Sequence, residues 1–187
     1  MIPLDTIDKS WTLFLDRDGV INQEKENGYI NSWNEFIFND GVLESFQILK
    51  KYFKRIIIIT NQRGVEKGLT HPNDLELIHF NLQQVVVQEG GLIDAIYFCS
   101  ALEDRHPDRK PNTGMGLRAL KDFPDIQVAK SIMVGNTLSD MSFGKNLGVY
   151  TVFLSTTNKD VNADDDRIDT TYESLISFAR ALNADKF

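Results

Sequence analysis

Two carboxylates, Asp16 and Asp18, flank Arg17 where the apolar run that starts at Thr12 breaks off. Each of two neighbouring carboxylates raises the cost of ionising the other, so a pair kept at the mouth of a buried strand asks for a chemical reason. On extended backbone, side chains two residues apart point the same way, so both can flank one group. Three more polar segments interrupt apolar runs: Thr60-Asn61-Gln62-Arg63-Gly64, Arg109-Lys110 within EDRHPDRKPNTGMG, and Gly135 to Asp140 in GNTLSD. Thr60 can donate a hydroxyl hydrogen bond to a phosphate oxygen. Lys110 offers a point charge, and Arg109 a planar fork for a second anionic or hydroxylated group.

The elements that must position these residues are short β-rich runs at Thr12 to Asp16, Arg55 to Thr60, Ala95 to Ser100, Ser131 to Asn136 and Val149 to Leu154, which read as buried strands. Helical patterns separate them: GVLESFQILKKYF after Asp40, DLELIHFNLQQVVVQEG after Asn73, GMGLRALKDF after Thr113, and Ser139 to Leu147. Asn73 stands three before Glu76 and Thr170 three before Glu173 in capping-box spacing, which predicts a closing helix over Tyr172 to Leu182. Strand and helix alternate, so the expected fold is α/β, a doubly wound, Rossmann-like parallel sheet with helices on both faces. In such a sheet ligands gather at the carboxyl ends of the strands, and all four polar segments fall on that rim. The acidic run Asn162 to Asp169 lacks the spacing of a calcium loop and reads as a solvated connection.

A length of 187 residues suits a single domain over 1–187. The net charge of −7 speaks against a nucleic-acid partner, whose phosphate backbone calls for clustered Lys and Arg. No apolar stretch suits a membrane, and the start MIPLDTIDKS lacks the layout of a secretory signal. One cysteine, Cys99, allows no internal disulfide, in keeping with a reducing cytoplasmic setting. The expected partner is a small molecule, with a monomer favoured.

The strings DRDGVIN, NGYI followed by NDGV, TNQRG, DRKPNTGMG and VGNTLSDM resemble the haloacid dehalogenase superfamily of phosphohydrolases, in the branch of histidinol phosphatases and heptose bisphosphate phosphatases. The likeness runs in order from about Leu13 to Leu154. It implies that Asp16 attacks phosphorus to form an aspartyl-phosphate, while Asp18 protonates the leaving alkoxide and then deprotonates the attacking water. It implies Mg²⁺ on the Asp16 carboxylate and the Asp18 backbone carbonyl, with Asn136 and Asp140 completing the metal site, and phosphate contacts from Thr60 and from backbone donors around Asn61 and Gln62. A cation and a phosphate are what two neighbouring carboxylates need as company.

The chain departs from the family pattern at two places. Asn136 stands where the family usually shows a metal-ligand aspartate, which keeps an oxygen and removes a charge, so weaker Mg²⁺ binding is expected. Asp140, one helical turn later, can hold metal-bound water or swing in directly. Relatives often carry a zinc loop before Arg-Lys-Pro. Here Cys99, His106 and Asp108 fill three of its positions and Ala101 the fourth, so the zinc is expected to be lost unless an acid such as Glu103 completes a site. No domain-sized insertion is present, so no large cap domain is expected, and the loop Asn22 to Trp33 must help choose the substrate, with Tyr29 and Trp33 as candidate ring-facing groups. The expected activity is a Mg²⁺-dependent phosphomonoesterase acting on a sugar phosphate such as heptose 1,7-bisphosphate. The alternatives are a histidinol-phosphate phosphatase or a catalytically weakened phosphate-binding relative.

Overall fold

The computed structural model describes residues 4–162 and 164–184. Ala163, in the acidic run, and Met1 to Pro3 of the N-terminal stretch lie outside the described residues. Six parallel strands, β1 Trp11–Leu15, β2 Phe53–Asn61, β3 Ala95–Cys99, β4 Ser131–Gly135, β5 Tyr150–Leu154 and β6 Thr170–Tyr172, form one sheet in the order β3-β2-β1-β4-β5-β6. The helices are α1 Val42–Tyr52, the single turn α2 Arg63–Glu66, α3 Pro72–Gln88, α4 Gly114–Asp122, α5 Leu138–Leu147 and α6 Leu175–Ala184. The chain winds outward from β1 through β2 to β3, then returns to pair β4 on the other side of β1. The crevice at the carboxyl ends of β1 and β4 is therefore the topological switch point, where open α/β sheets bind ligands.

Strand alternation splits the core in two, because successive side chains leave opposite faces of the sheet. Leu13, Leu15, Ile56, Ile58, Ile132 and Val134 pack with α1, α3 and α6 through Phe46, Leu82 and Phe178. Phe14, Ile57, Ile59 and Met133 face the other way, onto Met115 and Ala119 of α4 and Phe143 of α5. Truncating one of these fully buried aliphatic side chains to Ala would cost about 2–5 kcal/mol, enough to loosen the strand ends that carry the polar residues.

Two helix starts differ from the sequence expectation. At α3 the cap is His71, whose Nδ1 accepts from the Asn73 amide, with Pro72 at the first helical position; Asn73 is already inside the helix. At the C-terminal end, Thr170–Tyr172 pair with Val152 to Leu154 as β6, and the closing helix begins at Leu175. Its start is held by Ser174 and Ser177, whose side chains exchange hydrogen bonds with each other's backbone amides. The β-branched pair Thr170-Thr171 serves an edge strand better than a helix start, and the exposed edge beside β5 was open to it. The run ending at Asp169 is anchored rather than merely solvated: the Asp169 carboxylate accepts from the Thr151 amide at 2.8 Å and pairs with Lys145 at 2.6 Å.

Candidate active site

Asp16 and Asp18 line one cavity of about 290 Å³ at the switch point, together with Asn61, Gln62, Arg109, Lys110, Thr137 and Asp140. The Asp16 amide donates to Val134 O at 3.0 Å, so the end of β1 stays tied to β4 one residue beyond the strand. Asp16 is 8% exposed, and its carboxylate meets the Lys110 ammonium at 2.8 Å. Lys110, 3% exposed, also reaches Asp140 at 2.6 Å and donates to Ile59 O at 2.8 Å. Two carboxylates thus share one ammonium, leaving a surplus negative charge in a place with little water. Burial, and next the charge of Asp140, push the Asp16 carboxyl up to about 7 against the pull of Lys110. Burial also works against the Lys110 charge, but Asp140 and Asp16 outweigh it and raise the ammonium's proton affinity.

Asp140 owes its position to α5. Thr137 caps the helix, its Oγ1 accepting from the Asp140 amide at 3.3 Å, while Asp140 Oδ2 accepts from the Thr137 amide at 3.0 Å and from the Thr137 hydroxyl at 2.7 Å. That leaves Oδ1 on Lys110. The approach is close: a Cβ at Gly135 would lie 2.2 Å from Asp140 Cβ, so only glycine fits there. With both oxygens engaged, Asp140 is a fixed countercharge in this structure rather than a group free to swing.

Asp18 sits in a different environment. Its carboxylate accepts from Arg17 at 2.9 Å, Asn22 Nδ2 at 2.9 Å and Gln62 Nε2 at 2.8 Å. Burial opposes ionisation, but the Arg17 guanidinium and these donors hold the Asp18 carboxyl below its ordinary range. Arg17 itself is fully buried, because alternation along the strand end turns it away from its neighbours' side of the backbone and into the protein. There it contacts Gln62 Oε1 at 3.2 Å, His79 Nε2 at 3.2 Å and the face of Phe36, 5.8 Å from the ring centroid. Burial, with Arg17 next to it, pushes His79 down to about 3, so the ring is neutral and can accept from the guanidinium.

The remaining predicted residues divide. Thr60 is buried beside the cavity and its hydroxyl accepts from Gln62 Nε2 at 2.9 Å. The Asn61 side chain exchanges hydrogen bonds with the Lys110 backbone, Nδ2 to Lys110 O at 3.1 Å and Oδ1 from the Lys110 amide at 3.0 Å, and so places the lysine. Arg109 lines the cavity and is steadied by Asp104 at 3.2 Å and Ala101 O at 3.3 Å. Of the two aromatics in the 22–33 loop, Tyr29 lines the cavity beneath Lys67, 5.3 Å from the ring centroid. Trp33 does not: it stacks on Phe36 at 5.0 Å and meets Phe38 edge-on, pinning the loop to the apolar core, so of the two candidate ring-facing groups only Tyr29 faces the cavity. Arg17, Asn22, Glu24 and His79 are members of the site that the motifs alone did not single out.

A hard cation needs oxygen ligands with net negative charge, and the donor set suits one. Asn136, fully buried at the end of β4, leaves its Oδ1 without a hydrogen-bond partner, while Nδ2 donates to Thr157 Oγ1 at 2.7 Å. An orphaned buried carbonyl beside a negatively charged cavity is what a cation would satisfy. Among the described residues no three His, Cys, Asp or Glu side chains converge as a metal cluster, so a cation here would lean on amide and backbone oxygens as well as on Asp16. On the far side of β3, Cys99 Sγ lies 3.6 Å from His106 Nδ1, and the Asp108 carboxylate is taken by Arg118 at 3.0 Å.

Comparison with known proteins agrees with the geometry. The family described as polynucleotide kinase 3 phosphatase matches residues 12–178. The D-glycero-alpha-D-manno-heptose-1,7-bisphosphate 7-phosphatase of Mycobacterium tuberculosis is 33% identical over 173 residues, covering 92% of this chain and 91% of that one. The D-glycero-beta-D-manno-heptose-1,7-bisphosphate 7-phosphatase of Helicobacter pylori J99 is 36% identical over 148 residues, with 78% and 83% covered. A crystal structure of D,D-heptose 1,7-bisphosphate phosphatase from B. bronchiseptica, complexed with magnesium and phosphate, superposes with a TM-score of 0.82 at 26% identity and covers 94% of this chain and 99% of that one. A parallel sheet in this strand order, a paired-aspartate rim at its switch point and these relatives together establish that the chain belongs to the haloacid dehalogenase superfamily of phosphatases, within the family described as polynucleotide kinase 3 phosphatase.

Proposed function

We propose that this enzyme is a Mg²⁺-dependent phosphomonoesterase whose substrate is a small sugar phosphate of the heptose 1,7-bisphosphate kind, and that residues 1–187 act as one domain. The observation that carries the reading is the pair Asp16 and Asp18 in one cavity but in opposite electrostatic settings, the first destabilised as an anion and the second stabilised. A buried carboxylate destabilised as an anion, as Asp16 is, suits a nucleophile; a hydrogen-bonded, stabilised one, as Asp18 is, suits a proton carrier. The names of the relatives favour a heptose bisphosphate over histidinol phosphate. The net charge of −7 favours a small ester over a polynucleotide.

In the first half-reaction an Asp16 carboxylate oxygen bonds to phosphorus, the ester P–O bond breaks, and the alkoxide takes a proton from Asp18. Because Asp18 rests ionised, it first takes that proton from solvent, as the phosphate's negative charge arrives beside it and raises its proton affinity. In the second, Asp18 takes a proton from water as the water oxygen bonds to phosphorus and the Asp16–phosphorus bond breaks, freeing hydrogen phosphate and restoring the Asp16 carboxylate; Asp18 returns to its ionised resting form by giving the water's proton up to solvent. Lys110 steadies the phosphoryl charge, Thr60 and the amides around Asn61 and Gln62 donate to phosphate oxygens, and Arg109 with Tyr29 meets the rest of the substrate. Asp16, the Asp18 carbonyl and Asn136 would hold Mg²⁺, with Asp140 behind them, and the ion would neutralise charge as phosphorus is attacked. The Cys99 loop is read as having lost its zinc, and a cytoplasmic monomer is the favoured form.

The reading is tested by steady-state hydrolysis with Mg²⁺ of a panel containing heptose 1,7-bisphosphate, histidinol phosphate and a 3′-phosphorylated oligonucleotide. Preference for the heptose ester, abolished by Asp16→Asn, is the expected result. No turnover of any ester, or turnover untouched by Asp16→Asn, would overturn it.

A further inference from the structure

The charged groups around Asp16 and Asp18 do not balance a divalent ion without a residue outside the four motifs; the other cations on the cavity wall are paired elsewhere, Arg109 with Asp104 and Lys25 with Glu35. Asp18 is matched by Arg17, and Asp16 with Asp140 against Lys110 sums to a single negative charge. Asn136 adds an oxygen and no charge. Glu24, in the loop after β1, lines the same cavity as Asp16, Asp18 and Asp140. Its neighbour Lys25 pairs with Glu35 at 3.2 Å, whereas Glu24, among the described residues, has no cationic partner. Its Oε2 instead lies 3.4 Å from Asn136 Nδ2. An ionised carboxylate only accepts hydrogen bonds, so this contact fixes which way the Asn136 amide faces: nitrogen to Glu24 and Thr157, carbonyl oxygen away from them, buried and unpartnered.

We propose that Glu24 supplies the negative charge the cation site lacks at position 136, acting across the Asn136 amide that it also orients. The inference rests on the phosphatase reading above and deepens it: the occupant is the divalent cation, and the side chains that recognise it are an amide oxygen backed by a carboxylate in place of a direct carboxylate. Glu24 is a positioning and charge-balancing residue; it touches neither phosphorus nor ester.

The test is Mg²⁺ binding to the metal-stripped full-length protein by titration calorimetry, with the Mg²⁺-induced rise in melting temperature as a second readout. Glu24 is exposed, so Glu24→Gln should leave the melting temperature in EDTA unchanged. The attraction between one carboxylate and a divalent ion a few ångström away, screened as in water, is worth about tenfold in affinity, so Glu24→Gln is expected to weaken Mg²⁺ binding by about that factor. Asn136→Asp should bind more tightly than the parent and should remove most of the Glu24→Gln effect when the two are combined. An affinity for Mg²⁺ unchanged by Glu24→Gln, in a protein that still hydrolyses phosphate esters, would overturn the inference and leave the phosphatase reading standing. A parent protein that binds no Mg²⁺ would overturn both.

Discussion

Replacing the proposed nucleophile should make the metal-free protein more stable. Asp16 is the surplus charge of a buried trio: with Asp16→Asn, Lys110 and Asp140 remain as a neutral pair at 2.6 Å, and the ammonium keeps Ile59 O. Unfolded, the Asp16 carboxyl ionises near its ordinary 3.8; in the fold it keeps its proton up to about 7. The folded state therefore binds that proton more tightly than the unfolded chain, so the group's favourable contribution is complete below pH 3.8 and is lost as pH rises through 7. The interval from 3.8 to about 7, at about 1.4 kcal/mol per unit, sets a ceiling of about 4 kcal/mol on the penalty at pH 8. For a chain of this size that is a melting-temperature gain of about 10 °C for Asp16→Asn. Differential scanning fluorimetry in EDTA from pH 4.5 to 8.5 should show variant and parent together at the acid end and the variant pulling ahead as pH rises. Mg²⁺ should close the gap by stabilising the parent alone. A variant less stable than the parent at pH 8 in EDTA, or a gap independent of pH, would refute the reasoning.

Lys110→Met leaves two buried carboxylates without their shared cation, and losing one partner of a buried pair costs about 3–5 kcal/mol; urea unfolding should show that loss at pH 8 and a smaller one at pH 5, where Asp16 takes up a proton. Equal losses at both pH values would contradict the trio. His79, held down to about 3, contributes stability that is present above pH 6.5 and is lost as pH falls below it, by about 3 kcal/mol at pH 4. His79→Gln should therefore flatten the acid limb of the stability profile, read by the same unfolding measurement, and an unaltered limb would mean that the ring is not the titrating group.

Much of the site was legible because a parallel sheet writes its strands as unbroken apolar runs, and the polar residues that end those runs share one rim. Asp16, Asp18, Thr60, Lys110 and Asp140 could be placed together on that ground alone. Arg17 was harder, although its signal is present: a residue between two that face the rim must face inward, where a guanidinium demands partners. One of these, His79, lies on the apolar stripe of α3 with Leu75, Ile78, Leu82 and Val86, a helical spacing that marks it as buried but not as a neighbour of Arg17. Pairings across 62 residues of sequence leave no local trace. The same holds for Asn61, whose place in the motif does not show that its side chain holds the Lys110 backbone, and for Glu24, which sits in a loop with no periodicity to read. The strand β6 escaped because three residues of Thr-Thr-Tyr carry too little pattern, and its formation depends on the open edge of β5.

The claim on which the rest stands is that an Asp16 oxygen becomes covalently bonded to phosphorus. Acid-quenching the enzyme during turnover of a phosphate ester, with Asp18→Asn to slow release, and mapping the acyl phosphate by peptide mass spectrometry tests it directly. The account predicts one phosphoryl group on the peptide that carries Asp16, absent from Asp16→Asn. Steady turnover with no phosphorylated carboxylate, or with the group on another residue, would contradict it.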